Sequence, residues 1–354
     1  MSRSGVVAAG VFVALALTLS GGRASLHHPD DPMAIPVSTS GAPEPLPFDE
    51  FSRRRAVLMN MMDPNRPLAN PSNPTEKTER GKVAERIERA KHNPARTPEQ
   101  SVALAVDLLR FGNAAEAPAA LKGQRKGFLP NVTLAHVAAA QGEWGQAFEY
   151  LDIANDERPP AALPGITAAQ LAWQLKQNRG ALLKLVQSRW KEARAKDERR
   201  REGRPAESPP DDELPDPIFP VDFTKTEGAA LAPDERAKLP ADALATVQQL
   251  LLWFPGDPRL YWLLAEVYAA SGEFATAQRV MDSCVESFKY SNRKVLMQHR
   301  EAVAKAVRDL APPDPAPPEA PISLRTVALY FGAVAAVALF AGARAVYNWK
   351  RRRT

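Results

Sequence analysis

The side chains able to do chemistry are few and scattered. Ser188-Arg-Trp-Lys191 has the S-x-x-K spacing that sets a hydroxyl one helical turn from an amine. The partner motifs that penicillin-recognising enzymes add to that tetrad are missing, and tetrads of this kind arise by chance. No Walker A loop, HExxH pair, GxSxG elbow or Gly-rich dinucleotide loop occurs. The single cysteine, Cys284, excludes an intrachain disulfide framework and a Cys-rich zinc module. Of five histidines only His27 and His28 adjoin. His136 and His299 fall in helical stretches and read as packing or surface residues. If a leader were removed after Ala24, Ser25-Leu26-His27 would offer an amine, two amide nitrogens and an imidazole, the square-planar set that Cu(II) or Ni(II) prefers. A plain polar tail is the ordinary reading of the same residues, so His27 is a metal candidate only. Asn131-Val-Thr133 fits the glycosylation acceptor pattern, which matters only in a host that glycosylates. The sequence thus assigns no catalytic residue, no cofactor and no binding residue, and an enzyme is not expected.

The elements around these residues begin with the two ends. Arg3, the uncharged stretch Gly5 to Leu19 and the small residues up to Ala24 have the three parts of a secretory signal peptide over 1–24. Near the other end, Thr326 to Ala343 is uncharged, and at about 1.5 Å per residue it reaches about 27 Å, close to a bilayer core of about 30 Å. Arg325 and Arg344 bracket it, Tyr347 and Trp349 follow as interfacial aromatics, and Lys350 to Arg353 form a basic cluster. A transmembrane helix over 324–347 with a cytoplasmic tail over 348–354 is therefore expected.

That topology reassigns the charge. The whole chain carries 46 basic and 41 acidic residues, a net of +5. Two of the arginines lie in 1–24 and six basic residues in 325–354, with no acid in either stretch, which leaves 38 basic against 41 acidic between them. The basic excess is a membrane-topology signal, and nucleic acid is not expected as a partner. The abundance of Ala, Arg and Pro suggests a GC-rich bacterial genome. The expected product is a single-pass protein of the bacterial inner membrane with its N-terminal domain outside the cytoplasm.

Between the ends, residues 25–76 are rich in Pro and Ser and read as mostly disordered, with one short helix over Phe48 to Met62. A helical domain is expected over 77–310. Thr97-Pro98-Glu99-Gln100 has the form of a helix start, and Gly112-Asn113 of a stop. Helices are also expected over 166–177 and 181–199, with a turn at Asn178-Arg179-Gly180. Residues 200–240 are rich in Pro and charge and read as a surface insertion, tethered by Ile218, Phe219, Val221 and Phe223. Helices resume at 241–254, 258–271, 273–288 and 292–310. Residues 311–321 hold six prolines, which favour a semi-rigid stalk. With no alternating strand pattern in view, the fold class is all-α.

Two windows align without gaps. In the first, Leu134 and Ala135 are followed by Gly142, Trp144 and Ala147; in the second, Leu264, Ala265 and Tyr268 by Gly272, Phe274 and Ala277. Small residues let two helices approach, glycine reverses the chain, and aromatics fill the space between neighbouring pairs. The pattern resembles the tetratricopeptide repeat. Stepping back 34 residues from the second window finds Ala243, Val247, Leu250 and Pro255 at second-helix positions, with their own first helix degraded inside the insertion. Leu104, Ala105, Leu108, Gly112, Ala117 and Leu121 form a weaker copy that contains Pro118. Cys284 falls at a small core position, so its thiol is expected to be buried and inert.

The resemblance implies an α-solenoid of antiparallel helix pairs that binds a protein or peptide partner. Joined to the topology, it implies a membrane-anchored scaffold or assembly factor of the cell envelope. The competing expectation is an accessory or sensor subunit of an envelope enzyme or secretion complex, acting through its membrane helix.

Overall fold

The computed structural model describes residues 34–93, 95–203, 215–290 and 293–310. The stretches expected to form a signal peptide, a stalk, a membrane helix and a basic tail lie outside these, as does His27. Among the described residues no helix is long and apolar enough to cross a membrane.

The order of helices is α1 Phe48–Met62, α2 Glu79–Lys91, α3 Pro98–Phe111, a single turn α4 Ala117–Ala120, α5 Phe128–Ala140, α6 Trp144–Asp156, α7 Ala168–Gln177, α8 Leu183–Arg201, a turn α9 Pro233–Arg236, α10 Ala243–Trp253, α11 Pro258–Ala270, α12 Phe274–Ser287 and α13 Arg293–Leu310. The start of α3 is a capping box: Gln100 N–H donates to Thr97 Oγ1, and Thr97 N–H donates to Gln100 Oε1. Its weak repeat partner shrinks to α4, where Pro118 sits in the first turn and Leu121 ends the helix.

The two aligned windows fold into the same object. Gly142 and Gly272 take φ of 78° and 82°. In each turn the residue after the glycine donates back to the preceding helix, Glu143 N to Ala138 O at 2.9 Å and Glu273 N to Tyr268 O at 3.0 Å. Both are Schellman closures, which need the left-handed conformation glycine adopts freely. Ala135, Ala147, Ala265 and Ala277 are all fully covered where the helices of each pair touch.

Three expectations are corrected. First, the turn expected at Asn178-Arg179-Gly180 does not form. Residues 178–182 are one π-helical turn that joins α7 and α8 into a continuous helix. Gln177 and Leu182 keep right-handed angles, and Asn178 Nδ2 donates to Gln174 O at 3.0 Å, so the polar triplet stays within the helix. Second, the fold is mostly helical, as the all-α class implies, but the expectation that strands are absent does not hold. Two antiparallel hairpins occur, β1 Ala69–Asn70 with β2 Asn73–Lys77 and β3 Thr226–Glu227 with β4 Ala230–Leu231. Every residue of β2 is exposed, so it carries no apolar alternation. Third, residues 34–76 contain more order than one short helix. Ala34, Ile35, Leu46, Phe51, Leu58 and Met61 all enter the core.

The insertion over 200–240 is tied down where its apolar residues occur. Ile218 and Phe219 are buried, and Val221 and Phe223 pack against the same core. On the other flank, Arg80 donates to Met61 O and to Phe111 O at 3.1 Å, closing the last turns of α1 and α3 together.

Candidate protein-binding surface

The repeat positions lie mainly inside. Leu134, Leu264 and Tyr268 are buried, whereas Trp144 and Phe274 are half-buried against the core. Both first helices, α5 and α11, are covered almost all round. Neither leaves the open concave face that a bare stack of helix pairs would present. The surface available to a partner is therefore set by the elements laid against the repeats.

One such place is a crevice of about 250 Å³ lined by Trp144, Arg189, Glu192, Lys196, Arg259 and Lys289 among others. It lies where the turn of the first repeat, the middle of α8 and the start of α11 meet. Its wall is an ion-pair network. Arg189 Nε and Nη2 donate to the two oxygens of Asp216, each at 2.7 Å, and Nη2 also reaches Asp257 Oδ1 at 3.0 Å. Arg259 donates to both oxygens of Glu192, at 2.6 and 3.0 Å, and lies 3.1 Å from Asp216. Asp216 is fully covered. Burial acts to lower the pKa of Arg189, but the Asp216 and Asp257 carboxylates outweigh it and hold the guanidinium above its usual value. Asp257 also caps α11, accepting from Arg259 N and Leu260 N at 3.0 Å each. The network fixes the end of the insertion to two helices and sets guanidinium groups in the crevice wall. The Arg189 guanidinium also stands 5.4 Å from the Trp144 ring centroid.

A second crevice of about 280 Å³ opens between α11, α13 and the β3–β4 hairpin, lined in part by Phe223, Thr226, Trp262, Glu266 and His299. Glu266 accepts from Trp262 Nε1 at 2.6 Å and pairs with His299 Nδ1 at 2.7 Å, while His299 Nε2 faces Ala229 O at 3.4 Å. Burial lowers the His299 pKa, but Glu266 and the Ala229 carbonyl raise it more, so the net direction is upward. The His299 ring joins the hairpin to both helices.

The residues singled out for chemistry are dispersed. Ser188 is half-buried and Lys191 exposed on the same helix, α8. His136 is buried, shares a 3.1 Å hydrogen bond with Asn178 Oδ1 and stacks on Phe254. Asn131 is also buried, donating to Arg125 O and Gly127 O at the start of α5, which closes it to a glycosylating enzyme. Cys284 is buried, and burial pushes its thiol up to about 12. Among the described residues no group of three or more His, Cys, Asp or Glu is placed to hold a metal.

Residues 236–288 match the family described as Tetratricopeptide repeat. The match begins at α9 and takes in α10, α11 and α12, so the chain contains a tetratricopeptide-repeat segment, a type of module that mediates protein–protein binding. No curated protein and no solved structure matches the chain.

Proposed function

We propose that this protein is a binding scaffold of the cell envelope, held at the membrane by the apolar stretch Thr326 to Ala343 with its helical repeats outside the cytoplasm. The match over 236–288 and the second, identically turned pair α5–α6 carry the scaffold reading. The anchoring and the compartment rest on the sequence of the two ends. A binding role rather than catalysis is favoured by a covered Cys284 and by histidines committed to packing and to an ion pair. The crevice walled by Arg189 and Arg259 is the surface we assign to the partner, which would present an acidic or amide-rich segment to it.

The test is site-specific photocrosslinking in cells producing the full chain. Photoreactive residues at Lys196 and Lys289, which line the crevice, should capture the same protein in the membrane fraction, whereas one at the distant exposed Arg66 should not. Equal capture from all three positions, or none from any, would reject the assignment. Release of the chain by alkali would reject the anchor.

A further inference from the structure

The helix α10 has second-helix character but no first helix of its own repeat, and residues 34–62 stand against it. The contact made by residues 34–47 has a particular chemistry. Ile35 N–H donates to Gln249 Oε1 at 3.0 Å, and Ile35 C=O accepts from Gln170 Nε2 at 3.0 Å. Leu46 N–H donates to Gln248 Oε1 at 2.8 Å, and Leu46 C=O accepts from Gln248 Nε2 at 2.9 Å. Two residues of an extended, proline-rich segment thus have every backbone group read by a side-chain amide, two of the three glutamines standing on α10 and one on α7. Gln248 and Gln249 are fully covered and Gln170 nearly so.

A buried carboxamide is costly unless both of its ends are paired, so three of them lining one face make a site built to bind main chain. Gln248 reads Leu46 as a neighbouring strand would read it. The side chains of Ile35 and Leu46 fill apolar pockets to completion or nearly so. Between them the segment turns back on itself through a Val37–Pro43 bridge, and Thr39 to Gly41 face solvent. The fit is also incomplete. Among the described residues no acceptor meets Gln249 Nε2, so this occupant leaves one buried donor unused.

We propose that this face is a peptide-binding groove occupied in cis by residues 34–47, and that its ligand in trans is an extended segment of another protein. The incoming segment would place an aliphatic residue in the Ile35 pocket, present its backbone to Gln248, Gln249 and Gln170, and offer a further carbonyl to Gln249 Nε2. Residues 34–47 act as a tethered competitor whose effective concentration, set by their connection to α1, sets the affinity an incoming segment needs. The inference deepens the scaffold reading by naming a second surface and the chemistry of what it takes.

The test uses the full chain and a fluorescein-labelled peptide of the sequence Met-Ala-Ile-Pro-Val-Ser-Thr-Ser-Gly-Ala-Pro-Glu-Pro-Leu-Pro-Phe, read by anisotropy. In the variant Ile35→Asp with Leu46→Asp the groove is vacated, and the peptide should bind about tenfold or more tighter than to the wild type. Adding Gln248→Leu in that background should remove the gain. Should the doubly substituted chain fail to fold, a protease site placed in the exposed turn at 39–41 opens the groove after folding. Cleavage should then release the piece bearing Ile35 and admit the peptide. Retention of the cut piece with no uptake of peptide overturns the proposal, as does equal binding to wild type, vacated and Gln248→Leu chains. Peptide exchange needs no cellular partner, so exchange without photocrosslinked protein counts against the scaffold alone. A captured partner without exchange counts against the groove alone.

Discussion

Asp216 carries the sharpest energetic consequence of the fold, because it is fully covered and touches two arginines that are themselves nearly so. Consider Asp216→Asn, which keeps the shape and removes the charge. At contacts of 2.7 and 3.1 Å and an effective dielectric of about 20, each ion pair is worth about 5–6 kcal/mol before desolvation. Loss of a sole buried partner costs about 3–5 kcal/mol net. Neither arginine loses its sole partner here. Arg189 keeps Asp257 at 3.0 Å, and Arg259 keeps Glu192 at 2.6 Å. The Asn amide nitrogen, however, turns a donor toward a guanidinium donor. The expected cost is therefore about 2 kcal/mol, below the sole-partner range and above a surface change. With an unfolding entropy of about 2.1 cal/mol/K per residue over a folded part of this size, that corresponds to a fall in melting temperature of about 3–4 °C. Urea unfolding followed by tryptophan fluorescence gives the free energy, and limited proteolysis should show earlier cutting within 215–240, the segment Asp216 fastens. The exposed Glu227→Gln on the same insertion serves as control and should stay within about 0.5 kcal/mol. An Asp216→Asn chain as stable as wild type, or one destabilised with the insertion still fully protected, would refute the role given to the network.

Two further perturbations separate backbone from side-chain effects. A Cβ at Gly272 would meet no atom within 4 Å, yet φ is 82°, so Gly272→Ala should cost about 1–2 kcal/mol from backbone strain alone. At Gly81, inside α2, helix propensity favours alanine by about 1 kcal/mol. A Cβ there would lie 1.9 Å from Leu68 O, so Gly81→Ala should destabilise more than Gly272→Ala, and a stabilised Gly81→Ala chain would show the loop before β1 to be movable. The His299 latch has a definite pH sign. Its folded pKa is raised above 6.5, so its contribution is complete below that value and is lost as pH rises through the folded pKa. Hydrogen exchange of the β3–β4 hairpin should accelerate beyond the intrinsic rise as pH is raised from below 6.5 through the folded pKa, and His299→Gln should abolish that excess. An unchanged excess in His299→Gln would dismiss the latch.

The parts of this fold that were legible in the sequence are those whose packing needs small residues at fixed spacing. Ala135 with Ala147, Ala265 with Ala277, and the two glycines leave a pattern because any larger side chain would separate the helices or strain the turn. The start of α3 was legible for the same kind of local reason, a cap that closes within four residues. What was not legible depends on distant partners. Asn178-Arg179-Gly180 has turn composition, but Asn178 is held by Gln174 within its own helix and by His136 from α5, and the helix runs through. Asp216 lies in a segment whose prolines and acids advertise only solvation, and its value comes from Arg189, 27 positions earlier, and Arg259. The groove glutamines are hidden more deeply still. Nothing in the composition of α10 distinguishes a glutamine facing water from one reading the backbone of a residue more than 200 positions away.

The cover on the repeats changes where binding can occur. A helix pair with an apolar first helix must bury it, and in a regular array the next repeat does so while leaving a concave face free. Here α5 and α11 belong to windows that do not follow one another in sequence, so the covering falls to other elements. Helix α1 stands against α10, the joined α7–α8 helix runs along α6, and the insertion closes onto α11. The joined helix meets α6 through the stacked rings of Phe148 and Trp190, whereas the insertion adds an ion-pair network and residues 34–47, just before α1, add amide contacts to α10 and α7. Polar attachments can be exchanged for equivalent ones supplied by a partner, and at the Gln248 seam an incoming segment would also have to replace the buried side chains of Ile35 and Leu46. The two surfaces proposed for a partner are accordingly the seams closed by Asp216 and by Gln248, and on that proposal substitutions there should alter binding before they alter the helical pairs themselves.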